Sequence, residues 1–339
     1  MTDVKLTTSL SRRRALGVTA VALCCTLFFA ACGADQEAPS ARKKRIAVIP
    51  KGTTHEYWKS IHAGALAAGR ELDVDILWQG PIKEDDRNAQ IDVVESFIAK
   101  KVDGIVIAPL DDQALVRPLQ EADAAGIPVV VIDSDVAWPG RKSYIATDNH
   151  RGGQLCADAL AQRLGGKGKV AMLRYIEGSA STAERERGFL ERIAAGHPGV
   201  EVVSSDQRAG ATTASAINAA ETLLGRFKDL NGVFCPNESV AFGTLRALQD
   251  GGRVAAVALV GFDASPKLVE GLEKGEIEAL AVQDPVKMGE LGVRRIVDVL
   301  RGQQVEARID TGVVIVTRAS MKDASTARLL APDLSILDK

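Results

Sequence analysis

The chain has 339 residues, 46% of them hydrophobic and 25% charged, with a formal net charge of −2. That is the make-up of a folded globular protein, and it argues against a nucleic-acid partner, because such binders concentrate positive charge.

Lys5, Arg12, Arg13 and Arg14 form a basic region. An uncharged, mostly apolar run of 17 residues follows, Ala15 to Ala31, and then Cys32. The run falls short of the roughly 20 residues of a membrane span and has the length of a signal-peptide core. It ends Phe29-Ala30-Ala31-Cys32, which resembles the lipobox of bacterial lipoproteins, with Phe29 where an aliphatic residue is usual. By that resemblance residues 1–31 are a signal peptide, Cys32 carries a lipid that holds the chain to the membrane, and residues 32–44 are a tether. An ordinary signal peptide with an incidental cysteine, or an uncleaved anchor, is the alternative. Ser11-Arg12-Arg13-Arg14-Ala15-Leu16 also looks like a twin-arginine signal, but Ala15 replaces the common Phe, so the export route stays open. Removing residues 1–31 takes away four basic residues and one acid, so the net charge moves from −2 to −5 and 308 residues remain. That is enough for two domains of ordinary size. Cys156 and Cys235 are then the cysteines of the folded part, either as buried free thiols or as a disulfide.

From Arg45 onward short β-rich runs alternate with amphipathic helical stretches. The strand Ile46–Ile49 is followed by a helix from about Tyr57 to Leu72, and Val74–Trp78 by a helix from about Arg87 to Lys100. Gly104–Ala108 leads to a helix from about Ala114 to Ala125, and Ile127–Asp133 is the fourth strand. Tyr144–Thr147 is a crossing to a second unit. There, strands Lys169–Leu173, Val200–Ser204, Gly232–Cys235 and Ala258–Phe262 are separated by helices near 150–164, 182–195, 212–227 and 239–250. A last short strand covers Glu278–Gln283. Near-continuous Val/Ile runs, each followed by a helix, indicate parallel strands covered on both faces. The fold class is therefore α/β, as two successive doubly wound parallel sheets.

Catalytic signatures fail one by one. His55-Glu56 begins like a zinc-protease helix, but Lys59 stands where the second histidine belongs. Gly165-Gly166-Lys167-Gly168-Lys169 lacks the Ser or Thr of a phosphate-binding loop and precedes a strand. No G-x-G-x-x-G follows an early strand, no G-x-S-x-G elbow occurs, and His55, His62, His150 and His197 show no zinc spacing. Two α/β units with an export signal and no catalytic set favour binding over turnover.

In open parallel sheets ligands bind beyond the carboxyl ends of the strands. Those ends carry His55, Tyr57 and Trp58 after the first strand, and Asp133 and Ser134 after the fourth. In the second unit they carry Arg185 past Glu177-Gly178-Ser179-Ala180, then Asn237, Asp263 and Gln283. Carboxylates accept hydroxyl protons, arginine and amides donate, and aromatic rings pack on apolar C–H faces, so the set suits a polyhydroxylated ring. Asp263 has a plainer reading as the cap of a helix starting near Ser265, and Arg185 as one of a solvated charge run.

Five segments in this order resemble the periplasmic sugar-binding proteins of the ribose/xylose/galactose type, the type 1 solute-binding proteins of ABC importers. They are Ile145-Ala146-Thr147-Asp148-Asn149, Glu184-Arg185-Glu186-Arg187-Gly188-Phe189, Val233-Phe234-Cys235-Pro236-Asn237-Glu238, Val260-Gly261-Phe262-Asp263 and Ala281-Val282-Gln283-Asp284-Pro285. The resemblance covers roughly residues 45 to 320. It implies one lobe of residues 45–147 plus 284–310 and another of 148–283 plus 311–339, joined by a three-crossing hinge. It also implies a ligand-binding set of His55, Tyr57, Trp58, Asp133, Ser134, Arg185, Asn237, Asp263 and Gln283. Ser134 replaces the arginine of ribose binders, and Ala211 stands where an aromatic of the second lobe often lies. The implied role is to capture a sugar-like solute, as a monomer without cofactor or catalysis, for an ABC permease and ATPase in the inner membrane. A receptor subunit reporting a sugar or autoinducer-like furanose to a membrane sensor uses the same pocket and is the alternative.

Overall fold

The computed structural model describes residues 42–338, so the basic region, the apolar run and Cys32 lie outside the described residues. In chain order β1 (Arg45–Ile49), α1 (Glu56–Leu72), β2 (Asp75–Trp78), α2 (Arg87–Ala99), β3 (Gly104–Ile107), α3 (Val116–Ala124), β4 (Val129–Ile132) and β5 (Ser143–Ala146) come first. A second series follows: α4 (Asn149–Arg163), β6 (Gly168–Met172), α5 (Ala180–Gly196), β7 (Val200–Ser204), α6 (Thr213–Arg226), β8 (Gly232–Phe234), α7 (Glu238–Asp250), β9 (Ala258–Phe262), α8 (Pro266–Lys274) and β10 (Ala279–Gln283). The chain closes with α9 (Pro285–Leu300), β11 (Arg308–Asp310), β12 (Val313–Thr317), α10 (Ala324–Leu330) and a 3-10 turn at Ser335–Asp338.

The strands form two six-stranded sheets of matching order, β11-β5-β4-β3-β1-β2 and β12-β10-β9-β8-β6-β7. The first is parallel throughout. The second is parallel except at its edge, where β12 runs against β10. Alternation of side chains along each strand explains why the runs are apolar on both faces. Ile46 and Val48 pack under α1 and α9, whereas Ala47 and Ile49 face α2 and α3. In the second sheet Val260 and Phe262 meet α4 and α5, and Leu259 faces α7 and α8. The doubly wound, mostly parallel architecture expected from the sequence is the one observed.

Two details differ from the sequence reading. Residues 143–146 do more than cross over, since β5 is a full member of the first sheet, between β4 and β11. The edge strands β11 and β12 gave no strand signal, because one is three residues long with charged ends and the other is only partly covered. Chain passages from one sheet to the other follow Ala146, Gln283 and Asp310. They are tied together by hydrogen bonds: Thr147 Oγ1 donates to Gly312 O (3.2 Å), and the Asp148 and Gly312 amides donate to Asp310 Oδ1 (3.1 and 2.9 Å). Cys156 and Cys235 are both free and buried, and burial pushes the Cys235 thiol up to about 12.

The helix that carries Arg185 is held by two glycines. A Cβ on Gly153 of α4 would lie 2.0 Å from Arg185 O, and one on Gly188 of α5 would lie 2.1 Å from His150 O. The two helices therefore touch backbone to backbone, which only residues lacking a Cβ permit. Gly188→Ala is expected to lower stability by about 1–3 kcal/mol through overpacking, read as a lower midpoint in urea unfolding with unchanged slope. An unchanged midpoint would mean that α4 and α5 part at no cost.

Candidate ligand-binding site

The third strands of the two matching sheets, β4 and β9, each end in an aspartate with a left-handed backbone, Asp133 at φ 61° and Asp263 at φ 73°. Aspartate tolerates this conformation better than most side chains, and such strain collects at functional sites. The two carboxylates line one narrow polar cavity between the sheets, with about 30 Å³ of free space where the halves meet.

On the side of the first sheet, Asp133 accepts a hydrogen bond from Tyr57 OH (2.9 Å) and an ion pair from Lys51 Nζ (2.9 Å). Tyr57 and Trp58 open α1, their rings edge to face at 5.0 Å. On the other side, the Arg185 guanidinium lies 3.9 Å over the Phe262 ring. Its Nε donates to Asn149 Oδ1 (2.8 Å) and its Nη1 to Pro236 O (2.9 Å), so the charge is pre-aimed beside Asp263. Asp263 does not cap α8, whose N-cap is Ser265; it accepts from Gln283 Nε2 (2.6 Å) and from the Glu238 amide at the start of α7 (3.0 Å). Gln283 Oε1 is buried and has no hydrogen-bond partner among the described residues. Asn237 serves as the N-cap of α7, with Oδ1 accepting from the Val240 amide (3.3 Å), and also lines the cavity.

Glu84 joins the two halves. Its carboxylate accepts from Trp58 Nε1 (2.7 Å), from His55 Nδ1 and, across the cleft, from Tyr175 OH (2.8 Å). Glu238 makes a second connection, accepting the Glu56 and Tyr57 amides at the start of α1 (3.4 and 3.2 Å).

Eight of the nine residues singled out in the sequence line this cavity: His55, Tyr57, Trp58, Asp133, Arg185, Asn237, Asp263 and Gln283. Ser134 does not. It is fully buried, and its Oγ accepts the Ser181 amide of the second half (3.0 Å). Lys51, Glu84, Tyr175, Ser181, Thr182 and Glu238 line the cavity too and went unassigned in the sequence. A buried lysine runs against the usual preference of that side chain for water. Glu84 sits in the charge run Lys83–Arg87, which reads as a solvated loop. The signal that finds them is strand-end position, since Lys51 follows β1, Glu84 follows β2 and Tyr175 follows β6. Tyr175 lines the cavity from the second half, whereas Ala211 does not.

Burial opposes charge on both His55 and Glu84, yet each overrides that cost for the other. The Glu84 carboxylate raises His55 to about 9, and His55, Lys51 and the Trp58 N–H hold Glu84 at about 2. Burial dominates at Glu238, pushing it to about 7 despite nearby His55. The His55 contribution to stability is complete below its unfolded value near 6.5 and is lost as pH rises to about 9. The melting temperature is therefore expected to fall over that window. His55→Gln, which cannot change charge, should melt lower near pH 6.5 and flatten the alkaline decline. An equally steep decline in the variant would assign it to another group.

This is a solute-binding site of two doubly wound domains. Residues 46–304 match the model of the periplasmic binding protein domain, and the chain belongs to that family. The ribose import binding protein of Escherichia coli is 29% identical over 305 residues, covering 89% of this chain and 97% of the relative. The D-ribose/D-allose-binding protein of Pseudomonas aeruginosa is 30% identical over 310 residues, covering 89% and 95%. Among solved structures, the carbohydrate transporter solute-binding protein of Agrobacterium radiobacter in complex with D-arabinose superposes with a TM-score of 0.83 at 34% identity, covering 86% of this chain and all of that one.

Proposed function

We propose that this chain captures an uncharged monosaccharide or similar polyol between its two halves and delivers it to an ABC importer. The observation that carries the reading is Gln283 Oε1, a buried acceptor without a partner in the lining of a charge-balanced cavity. An orphaned buried acceptor costs about 1–3 kcal/mol until a donor reaches it, and a ring hydroxyl is such a donor. Lys51, protonated His55 and Arg185 offset Glu84, Asp133 and Asp263, and Glu238, which burial pushes up to about 7, adds at most one further negative charge, so the cavity favours a neutral ligand over a sugar acid or phosphate. Tyr57, Trp58 and Tyr175 offer ring faces or edges to the C–H surfaces of a pyranose or furanose. The ligand set on this reading is His55, Tyr57, Trp58, Asp133, Arg185, Asn237, Asp263 and Gln283, with Ser134 acting through Ser181.

The lobes divide at the three passages, residues 45–147 with 284–310 against 148–283 with 311–339, and ligand favours closure by contacting both. Ligands named for the relatives define the first panel. D-ribose, D-allose or D-arabinose at a hundredfold excess over its Kd should stabilise the protein by about 2.7 kcal/mol, a rise of roughly 5–10 °C in melting temperature. Arg185→Ala should weaken that binding by at least about 2 kcal/mol, some thirtyfold, in calorimetry. Normal binding by the variant would remove Arg185 from the site, and no shift with any sugar would remove the sugar.

Residues 1–31 act as the export signal and residues 32–44 as the tether on this reading, with Cys32 lipidated at the outer face of the cytoplasmic membrane. Among the described residues no helix is long and apolar enough to cross a membrane. Cys32→Ser should move the chain from the membrane to the soluble fraction. Retention at the membrane would rule out an anchor at that cysteine.

A further inference from the structure

Lys51 lies two residues past β1 and is 3% exposed, although a lysine in that position has every means of reaching water. Its ammonium has three protons and meets three acceptors: Asp133 Oδ2 at 2.9 Å, Ser181 Oγ at 3.0 Å and Ser179 Oγ at 3.4 Å. The protein uses its whole donor set, and a ligand gains no proton from it without displacing one of these. Asp133 stands differently. A carboxylate offers about four acceptor sites, and Tyr57 OH and Lys51 Nζ take one on each oxygen. Both serines belong to the second half, Ser179 being the N-cap of α5 and Ser181 its second residue, so two of the three Lys51 bonds cross the cleft.

We infer that Lys51 is a positioning residue that acts through Asp133. It keeps that carboxylate ionised and turned toward the ligand, and its own bond set is complete only where the two halves meet. The affinity arm of the test rests on the sugar reading; the stability arm does not.

Besides Lys51, the ionisable groups facing Asp133 are Tyr57 from α1, Tyr144 from β5, Tyr175 beyond β6, and Asp263 with its neighbour Arg185 from the second half. The tyrosines are held protonated far above neutrality. Without Lys51 the buried carboxylate loses the cation bonded to it, a penalty that falls on its charged form alone. A carboxylate shifted upward costs stability as pH rises, so the deficit of Lys51→Met should be small near pH 5 and large near pH 8. Lys51 also faces Glu84, which His55 and the Trp58 N–H still hold low without it, and titration of His55 and Glu238 is common to all variants and cancels in the comparison.

The experiment melts the full chain as wild type, Lys51→Met, Asp133→Asn and the double variant, from about pH 5 to about pH 8.5. It then measures Kd for D-ribose, D-allose and D-arabinose. The Lys51→Met deficit should reach at least about 5 °C near pH 8, shrink toward pH 5, and lose its pH dependence when residue 133 is Asn. For any sugar the wild type binds, Lys51→Met should weaken affinity at least about tenfold with Asp133 present and by less than about twofold with Asn. If Lys51→Met fails to fold, folding of the double variant supports the coupling, and failure of both overturns it. A deficit flat with pH and equal in both backgrounds overturns it as well. A wild type that binds none of the sugars defeats the ligand reading alone, and the melting series still decides the role of Lys51.

Discussion

A charge taken out of water must be met by an opposite charge or by a full set of hydrogen bonds, and seven acidic or basic side chains are gathered around one cavity here. Lys51, His55 and Arg185 face Glu84, Asp133, Asp263 and Glu238. The partners are drawn from both sheets: Glu84 of the first half receives Tyr175 of the second, and Lys51 reaches Ser181. Lys51 and Glu84 of the first half and Glu238 of the second draw partners across the cleft, whereas Arg185 and Asp263 are met within their own half. The fit between the halves is therefore set by charge compensation, and the apolar cores, one on each face of each sheet, stay within their own half.

Matching sheet order explains why two separate stretches of chain converge so symmetrically. β4 and β9 occupy the same place in their sheets, and each hands the chain to an aspartate in the left-handed region. What differs between the halves is how the cation is held. Arg185 comes from a helix, braced by Phe262 beneath it and by the glycine contact between α4 and α5. Lys51 comes from a loop and is braced only by what it bonds. A planar guanidinium suits the first setting and a compact ammonium the second.

The fold was legible because its strands are buried on both faces, and a continuous Val/Ile run as short as Val129–Ile132 suits a covered parallel strand better than a helix. The site was legible where a residue followed a clear strand in a recognisable context, as Asp263 does after Val260-Gly261-Phe262. It was obscure where burial contradicts composition. Lys51 and Glu84 are residue types that sequence patterns assign to solvent, and only the partners brought by the other half make their burial tolerable. Ser134 misled in the opposite sense. A position beside a ligand carboxylate suggests contact, but its hydroxyl is turned to the backbone of α5. The short edge strands β11 and β12 left no periodicity to read, since three to five residues with partial exposure fit a loop equally well.

The position of Gln283 has a mechanical consequence. It is the last residue of β10, and the next, Asp284, begins one of the three passages between the sheets. When two bodies turn about a pivot, displacement grows with the lever arm. An amide set against such an axle hardly travels, whereas the Glu84–Tyr175 contact is made between a loop beyond β2 and a segment beyond β6, neither of which adjoins a passage. On the binding role proposed above, the graded bite of such a clamp would hold a solute longest at Gln283, the end that moves least.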